Sequence, residues 1–241
     1  MIAARKFPLL DSASYFLLRF LIRSRFHGVY VSGREHFAEL DPLKAVIGCA
    51  NHTNWWDGFI VHLLSKELAG RSSYIAQDEK HLARYRFLSW LGAFGIDLDG
   101  SPTAGLRYAL RVLASPQSLV WFFPQGHIAH PTKPIIAKVG ATFLAKKSAA
   151  QLLPVILRYE WMIESRPSIL IRIGAPLPDT TKAKELQQCL QTLFDEVVPE
   201  PGKFTETFHP LFKPRMSLNK KLDFLIHRLR GERTPFVREN L

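Results

Sequence analysis

The sequence contains few cysteines. Only Cys49 and Cys189 are present, and they do not form a C-x-x-C motif. Two cysteines so far apart supply neither a disulfide framework nor a four-cysteine zinc site, so both of those small-domain classes are excluded. This usage fits a reducing compartment. Cys49 ends an apolar run, and we expect it to be a buried small hydrophobic residue.

Long apolar runs are missing as well. No uninterrupted apolar stretch reaches the roughly 20 residues that a bilayer-spanning helix needs. The first residues also lack the apolar core and the small-residue cleavage site of a signal peptide. We therefore expect a soluble or peripheral protein that does not span a membrane.

Acidic residues are scarce, with 21 Asp and Glu against 32 Lys and Arg, which gives a formal net charge of +11. A positive surface favours nucleic acid, a phospholipid surface or phosphate-bearing ligands, although it also serves solubility alone. The sequence has no zinc-finger, recognition-helix or aromatic–basic sheet motif, so we expect no nucleic-acid partner. An anionic membrane surface is the partner that we predict.

The length of 241 residues and the apolar content of 47% allow one large α/β domain with terminal additions. Apolar runs bounded by turn residues predict strands at 28–33, 44–48, 73–76, 94–97, 118–123, 152–157 and 168–173. Periodic segments predict helices at 58–68, 82–91, 103–113, 140–148 and 181–197. This alternation predicts a mainly parallel central sheet that helices cover on both faces.

Two terminal segments flank the predicted domain, which we place at residues 28–200. Residues 1–27 predict an amphipathic helix in which Arg19 and Arg23 lie one turn apart, the pattern of a helix in a membrane interface with arginines directed at headgroups. A helix docked on the domain fits this pattern equally well. Residues 201–241 predict a basic amphipathic extension, either a second membrane contact or a solvated tail.

Residues 49–57, with the sequence CANHTNWWD, connect a predicted buried strand to a helix. His52 and Asp57 lie in this turn, at the edge of the sheet where α/β proteins usually place their chemistry. A histidine oriented by a carboxylate is the minimum equipment of a general base. The pair alone is common by chance, so it needs support from other residues.

Three later stretches supply that support, namely residues 123–127 (FPQGH), 138–141 (KVGA) and 153–156 (LPVI). Together with Asn51, His52 and Asp57, they resemble the glycerolipid acyltransferase family, which includes the lysophosphatidic acid acyltransferases. That family has N-H-x-x-x-x-D, a G-x-x-x-x-D-R-like stretch, F-P-E-G-T-R-S, a K-x-G-A element and a V-P-V strand, in this order. The resemblance covers roughly residues 28–176.

The resemblance implies an O-acyltransferase mechanism. His52 would take the proton of an acceptor hydroxyl, which attacks the thioester of acyl-CoA or acyl carrier protein, while Asp57 orients the imidazole. Helix N-terminal amides after Asn51 would stabilise the oxyanion. No cofactor or metal beyond the acyl co-substrate is implied, although His127 and His130 leave a metal site as a weaker alternative. The residues expected to contact substrate are Asn51, Gln125, Gly126, His127, Lys138 and Gly140.

The sequence departs from the family pattern where the family places three cations, one carboxylate and one threonine. The departures are Gln77 for a lysine, Leu98 for an arginine, Gln125 for a glutamate, His127 for a threonine and Ile128 for an arginine. Because the family uses those cations to hold the acceptor's phosphate, we expect an acceptor that is not a simple glycerol phosphate. A neutral alcohol or a glycosylated lipid fits, unless a phosphate is held by Arg107, Lys133 or Lys138.

We therefore expect a peripheral enzyme on the cytoplasmic face of the membrane that acylates a lipid hydroxyl. Three alternatives remain open. The first is a 1-acylglycerol-3-phosphate acyltransferase of phospholipid synthesis. The second is a catalytically impaired relative that only binds lipid, and the third is a hydrolase that uses water as the acceptor.

Overall fold

A computed structural model describes residues 1–162, 165–198, 204–212 and 228. Within these residues, eight strands form a single sheet. The strands are β1 (Val29–Ser32), β2 (Val46–Ala50), β3 (Ser72–Asp78), β4 (Ala93–Ile96), β5 (Ser118–Phe122), β6 (Gln151–Glu160), β7 (Ser168–Ile173) and β8 (His209–Pro210). All seven predicted strands are present.

The helices that flank the sheet are α1 (Pro8–Arg25), α2 (Asp57–Leu64), α3 (Glu79–Arg84), α4 (Thr103–Leu113), α5 (Gly140–Ser148), α6 (Ala183–Asp195) and α7 (Phe204–Thr207). Short 3-10 segments add Arg34–Phe37 and Arg86–Leu91, and a π turn at Ser65–Ala69 extends α2. The single helix predicted at 82–91 is therefore wrong. The chain breaks at Tyr85, which has φ −119° and ψ 57°, outside the helical region.

The strand order is β4-β3-β5-β2-β6-β7-β1-β8. Strands β4, β3, β5, β2 and β6 are mutually parallel, and β1 is parallel to β7. The pairs β6–β7 and β1–β8 are antiparallel. The sheet is thus mainly parallel, as the sequence predicted. Strand β2 lies between β5 and β6, so the segments that leave the carboxyl ends of these three strands meet at one edge.

Each face of the sheet carries its own apolar layer. On one face, Leu18 and Ile22 of α1 and Ile60 and Leu64 of α2 pack against inward-pointing strand residues. On the other face, α4, α5 and α6 contribute Ala109, Leu113, Leu144, Leu186 and Leu190. Cys49 is fully buried in this second layer, as predicted, and burial raises the pKa of its thiol.

Helix α1 docks on the domain and also keeps an apolar face in solvent. Its arginines face the protein, because Arg19 Cζ and Arg23 Cζ lie 5.3 and 6.0 Å from the ring centroid of Phe212. Arg19 also donates a hydrogen bond to Tyr15 Oη. These contacts do not test whether the two arginines also meet headgroups, so that remains a prediction. The exposed face of the helix is apolar and consists of Leu9, Phe16, Leu17 and Phe20.

The sheet extends beyond the predicted domain boundary at residue 200. His209 pairs with Val31, so β8 covers part of the edge formed by β1. Most of the basic amphipathic extension predicted at 201–241 lies outside the described residues, which there include only 204–212 and the exposed helical position Arg228. In the part of the chain that the structure describes, we find no helix long and apolar enough to cross a bilayer.

Candidate active site

The site lies where β2, β5 and β6 end. His52 follows β2, the segment Phe123–His127 follows β5, and Tyr159 lies near the end of β6. Register pairs Cys49 with Phe122 on one side and Ala50 with Val155 on the other. Because parallel strands end at the same edge, these segments converge although they are distant in the sequence.

His52 and Asp57 are paired in the geometry that a general base needs. The Nδ1 atom of His52 lies 2.8 Å from Oδ2 of Asp57. The imidazole is 21% exposed, whereas the carboxylate is fully buried. With Nδ1 engaged by the carboxylate, Nε2 is left to face the pocket, so the ring is oriented for proton transfer.

Asp57 accepts four hydrogen bonds, which offset the cost of burying its charge. Besides the imidazole, Oδ2 accepts the amides of Thr53 and Asn54, each at 2.8 Å. Oδ1 accepts the hydroxyl of Tyr159 at 2.6 Å. Hydrogen bonds from neutral donors to a buried carboxylate stabilise its charged form. The carboxylate is therefore held in one orientation by its own turn and by β6.

Tyr159 was missed by sequence reasoning. Its pKa is raised, first by burial and then by the neighbouring Asp57 carboxylate, so the phenol remains a hydrogen-bond donor. In the sequence, Tyr159 is an aromatic residue at the end of a predicted strand, with no motif around it. The only signal is its position shortly after the LPVI stretch, and that signal becomes informative only once β6 is known to lie beside β2.

The prediction that Asn51 contacts substrate is wrong, and four of the amides that follow it are already hydrogen-bonded. Asn51 does not reach substrate, because it is fully buried and its amide group pairs with both the N–H and the C=O of Leu157. The amides of His52, Thr53, Asn54 and Trp56 all have side-chain acceptors already. These four amides are therefore not available to an oxyanion.

Gln125 is hydrogen-bonded to the backbone of His52. Contrary to the prediction from the sequence, it does not line the pocket. Gln125 is 4% exposed, and its Oε1 accepts the N–H of His52 at 2.8 Å. On the other side, the N–H of Ala129 donates to the C=O of His52 at 2.8 Å. The ring of Phe123 stacks on the imidazole with centroids 4.3 Å apart. The loop after β5 thus fixes His52 from both sides.

Gly126 and Lys138 lie next to each other at the rim of the site. Gly126 has φ +75°, a backbone conformation that favours glycine, and a Cβ there would lie 2.9 Å from Lys138 Nζ. The N–H of Lys138 donates to the C=O of Pro124 at 2.9 Å, which closes the loop. Gly140 begins α5 with open space around it. Of the cations Arg107, Lys133 and Lys138, the structure places Lys138 beside the site.

A pocket of about 340 Å³ opens next to His52. Most of its wall is apolar, formed by Trp55, Phe59, Ile75, Ala76, Leu88, Leu91, Ala93, Ile96, Leu98, Phe122, Phe123 and Ile128. The polar part of the wall consists of His52, His62, Gln77, Asp78, His81 and His127. A concave site of this kind suits a mainly hydrocarbon ligand that a few polar groups orient.

No lysine or arginine lines this pocket among the described residues. The residues that replace the family's cations, Gln77, Leu98 and Ile128, all lie in its wall. His127 also lines the pocket and is exposed, which places it where the sequence predicted a substrate contact. Within the described ranges we find no group of three or more His, Cys, Asp or Glu side chains arranged to hold a metal ion.

The fold and this site define an α/β enzyme domain with a histidine–aspartate pair at the mouth of an apolar pocket. A sequence model of the Acyltransferase family matches residues 28–158. That match covers more than half of the chain, so the protein belongs to the acyltransferase family and is an acyltransferase.

Two further comparisons were made. A search of curated proteins gave no match. Among solved structures, the chain is similar to the 1-acyl-sn-glycerophosphate (LPA) acyltransferase, PlsC, from Thermotoga maritima. The similarity has a TM-score of 0.48 and 18% sequence identity, and it covers 77% of this chain and 74% of the other.

Proposed function

We propose that the protein is a peripheral membrane enzyme that transfers a fatty acyl group from acyl-CoA or acyl carrier protein to a hydroxyl group of a lipid. The observation that carries the proposal is the 2.8 Å contact between His52 Nδ1 and Asp57 Oδ2 at the mouth of the apolar pocket. This geometry supplies a base, and the pocket supplies room for a hydrocarbon chain.

In the proposed reaction, Nε2 of His52 accepts the proton of the acceptor hydroxyl as the hydroxyl oxygen attacks the thioester carbonyl. The tetrahedral intermediate then collapses, the C–S bond breaks, and the imidazolium returns its proton to the departing thiolate. The products are an ester and a free thiol. The buried Asp57 stabilises the imidazolium between the two proton transfers.

We propose further that the acceptor group bound in the pocket is uncharged. Among the described residues, the wall offers no lysine or arginine, although a buried phosphate needs at least one cationic partner. Lys138, at the rim beside Gly126, supports the competing proposal of a phosphate-bearing acceptor such as lysophosphatidic acid. The two proposals differ in the effect of Lys138→Ala, which lowers turnover of a phosphate-bearing acceptor and leaves that of a neutral one unchanged.

The membrane contact that we propose is the outer face of α1 together with the 3-10 segment Arg86–Leu91. Phe16 of α1 is 69% exposed. Trp90 of the 3-10 segment is 44% exposed and meets the ring of Phe7 at 6.4 Å. The same segment turns Leu88 and Leu91 toward the pocket, so the exposed apolar surface adjoins the pocket wall. Such a surface fits the interface of the cytoplasmic leaflet.

The membrane proposal is tested by cosedimentation with anionic vesicles. Substitution of Phe16 and Phe20 by Asp removes binding without unfolding the protein, because both side chains are exposed. The controls are the single variant Phe16→Asp and Leu43→Asp, which add one negative charge each; Leu43 is 81% exposed and precedes β2, away from the carboxyl edge of the sheet. Equal binding by the double variant and Leu43→Asp would place the membrane contact elsewhere.

The catalytic proposal is tested by incubating the protein with labelled acyl-CoA and a total lipid extract. We expect a labelled lipid ester that His52→Ala does not form, since positioned proton transfer contributes about 10²–10⁴-fold. Labelled free fatty acid alone would identify a hydrolase. Absence of any product, with lipid binding retained, would identify an impaired relative. Ester formation by a folded His52→Ala variant at more than a few per cent of the normal rate would refute the mechanism.

A further inference from the structure

Residues 100–159 carry positive charge only. They contain no Asp or Glu, but they contain seven lysines and arginines, namely Arg107, Arg111, Lys133, Lys138, Lys146, Lys147 and Arg158. The acids that border this stretch are already paired, because Asp99 contacts Lys80 at 2.7 Å and Glu160 contacts Arg158. Arg158 is therefore balanced, and the other six cations are in excess.

These six cations lie on α4, on α5 and in the loop between β5 and α5. Arg107 and Arg111 are one turn apart on α4, and Lys146 and Lys147 belong to the last turn of α5. All six are exposed, and within the described ranges none of them forms an ion pair. Helix α4 packs against α5, so the charges on the two helices form one basic surface, which we call the α4–α5 face.

Exposed apolar side chains lie among the cations of the α4–α5 face. Val139 and Phe143 are one turn apart at the start of α5, and they are 69% and 47% exposed. Lys146 and Lys147 follow Phe143 by three and four residues, so they lie on the same side of the helix. Helix α5 thus presents a stripe that is apolar at its first turn and basic at its last. Exposed aromatic residues of this kind are typical of protein–protein interfaces.

The α4–α5 face leads to the mouth of the pocket. Helix α4 connects the carboxyl end of β4 to the amino end of β5, and α5 connects β5 to β6 in the same way. Both helices therefore begin at the edge of the sheet where His52 lies. Lys138, just before α5, adjoins Gly126 in the pocket wall. From Lys138 to Lys147 the face extends for about 13 Å, at 1.5 Å per residue.

We propose that the α4–α5 face docks an acidic acyl carrier protein, which presents its acyl thioester to His52. The inference rests on the proposed acyl transfer and specifies the donor that this surface serves. The excess of cations fits an anionic partner. The position of the face fits a soluble partner, because α1, which carries the proposed membrane contact, packs on the opposite side of the sheet. When α1 lies on a bilayer, the α4–α5 face points toward water.

A carrier protein fits this face better than CoA alone. The charge of CoA resides in its phosphates, which a compact cluster of cations at the mouth would hold. The cations are instead distributed along two helices and mixed with apolar side chains. Distributed complementary charge speeds the encounter of two proteins without requiring a long-lived complex. The carrier must leave after each transfer, when the thioester C–S bond has broken and its thiol is free.

Steady-state kinetics with two donors test the proposal. The donors are dodecanoyl-CoA and a free-standing acidic acyl carrier protein loaded with the same dodecanoyl group, and the acceptor is a total lipid extract. The variants Arg111→Glu and Lys147→Glu each reverse one exposed charge on the face. For each variant we expect KM for the acyl carrier protein to rise about tenfold at low salt, while both constants for dodecanoyl-CoA stay within about twofold. Added salt should reduce the difference between wild type and variants.

The matched control is Arg84→Glu. Arg84 is exposed, and its Cζ lies 5.5 Å from the ring centroid of Tyr85. Arg111 Cζ lies at the same distance of 5.5 Å from the ring centroid of Tyr108. Each substitution therefore reverses one charge and removes one cation–π contact. Arg84 lies on α3, which packs with α2 on the side of the sheet that carries α1. We expect Arg84→Glu to retain the wild-type KM for both donors.

Three results would overturn the inference. If KM rises equally for both donors in Arg111→Glu and Lys147→Glu, the cations bind the phosphates of CoA. If these variants lose binding to anionic vesicles instead, the face is a membrane contact. If KM for the acyl carrier protein is unchanged in both variants, or changes as much in Arg84→Glu, the face does not dock the carrier.

A binding measurement separates this inference from the proposed function. Fluorescence anisotropy of labelled carrier protein, without an acyl group, reports docking alone. Binding that Arg111→Glu weakens and Arg84→Glu retains, without acyl transfer to any acceptor, supports the docking surface and contradicts the proposed function. Acyl transfer from dodecanoyl-CoA, with neither binding of the carrier nor transfer from it, leaves the proposed function intact and overturns the inference.

Discussion

The hydroxyl of Tyr159 lies 2.6 Å from Oδ1 of Asp57 and donates a hydrogen bond to it. This contact joins the end of β6 to the turn after β2. It holds Oδ1, whereas His52 contacts the other carboxylate oxygen, Oδ2. Tyr159 thereby holds the orientation of His52 through Asp57, and it is not among the residues that line the pocket.

Replacing Tyr159 by Phe tests that role. We expect kcat to fall about tenfold and KM to stay unchanged, because Oδ1 of the buried carboxylate loses the hydrogen bond from Tyr159. Steady-state kinetics on the acyl acceptor measure both constants. Tyr74→Phe removes a hydroxyl from a partly buried tyrosine outside the site and serves as the control. A Tyr159→Phe enzyme with normal kcat would show that the contact is only structural.

Gln125 allows a second test, at the backbone of the base. Gln125→Ala leaves the N–H of His52 without its acceptor, and we expect kcat to fall by about 10–100-fold because the imidazole loses its fixed position. Gln125→Glu keeps an acceptor in place and retains most of the activity. Equal losses in the two variants would contradict this explanation, since only Ala lacks the acceptor.

The lowered pKa of His62 predicts how the stability of the protein changes with pH. Burial, opposed by Asp11 and assisted by Lys66 and Lys6, lowers its pKa from 6.5 to about 4 in the folded protein. The unfolded chain therefore binds the proton more tightly. Above pH 6.5, His62 does not lower the free energy of unfolding. As the pH falls from 6.5 toward 4, the free energy of unfolding decreases by about 3 kcal/mol in total.

Urea denaturation at pH 7 and pH 4.5 measures this loss. The wild-type protein and a His36→Phe control, which replaces a histidine outside the pocket, should lose roughly 2–3 kcal/mol more between these pH values than His62→Phe does. Parallel pH dependence in all three proteins would show that His62 is not kept neutral by the fold.

The packing around Gly48 leaves no room for a side chain at this position of the sheet. It pairs directly with Trp121, and a Cβ at position 48 would overlap the buried indole ring. Gly48→Ala therefore destabilises the fold by about 1–3 kcal/mol, because Trp121 is held by a 2.7 Å hydrogen bond to Ser65 and cannot move freely. Gly140→Ala, at a position with open space, has little effect or stabilises α5 slightly. Chemical denaturation of both variants provides the comparison.

Local patterns predicted the elements well where short-range physics decides them. Helices at 103–113 and 140–148 and the strand at 168–173 have the predicted bounds, because apolar periodicity and flanking breakers determine them. The helix predicted at 82–91 failed because its second half tightens into a 3-10 segment that turns Leu88 toward the pocket. Packing against the pocket overrides helical propensity there.

The site was predicted only in part, for a related reason. His52 and Asp57 lie in one turn, so their pairing could be read from adjacent residues. The roles of Asn51, Gln125 and Tyr159 depend on β2 lying between β5 and β6, which no local pattern encodes. Asn51 and Gln125 were therefore assigned to substrate, although they bond to Leu157 and His52. Long-range strand order is what sequence reasoning lacked.

The loop closed by the 2.9 Å hydrogen bond between Lys138 and Pro124 has an evolutionary consequence. Within it, Ala129 supports His52 through its main-chain amide, which almost any residue can provide. Its neighbours His127 and Ile128 face the pocket through their side chains. Mutations in this loop can therefore alter the pocket while His52 stays in place. An intact His–Asp pair consequently carries no information about the shape of the pocket beside it.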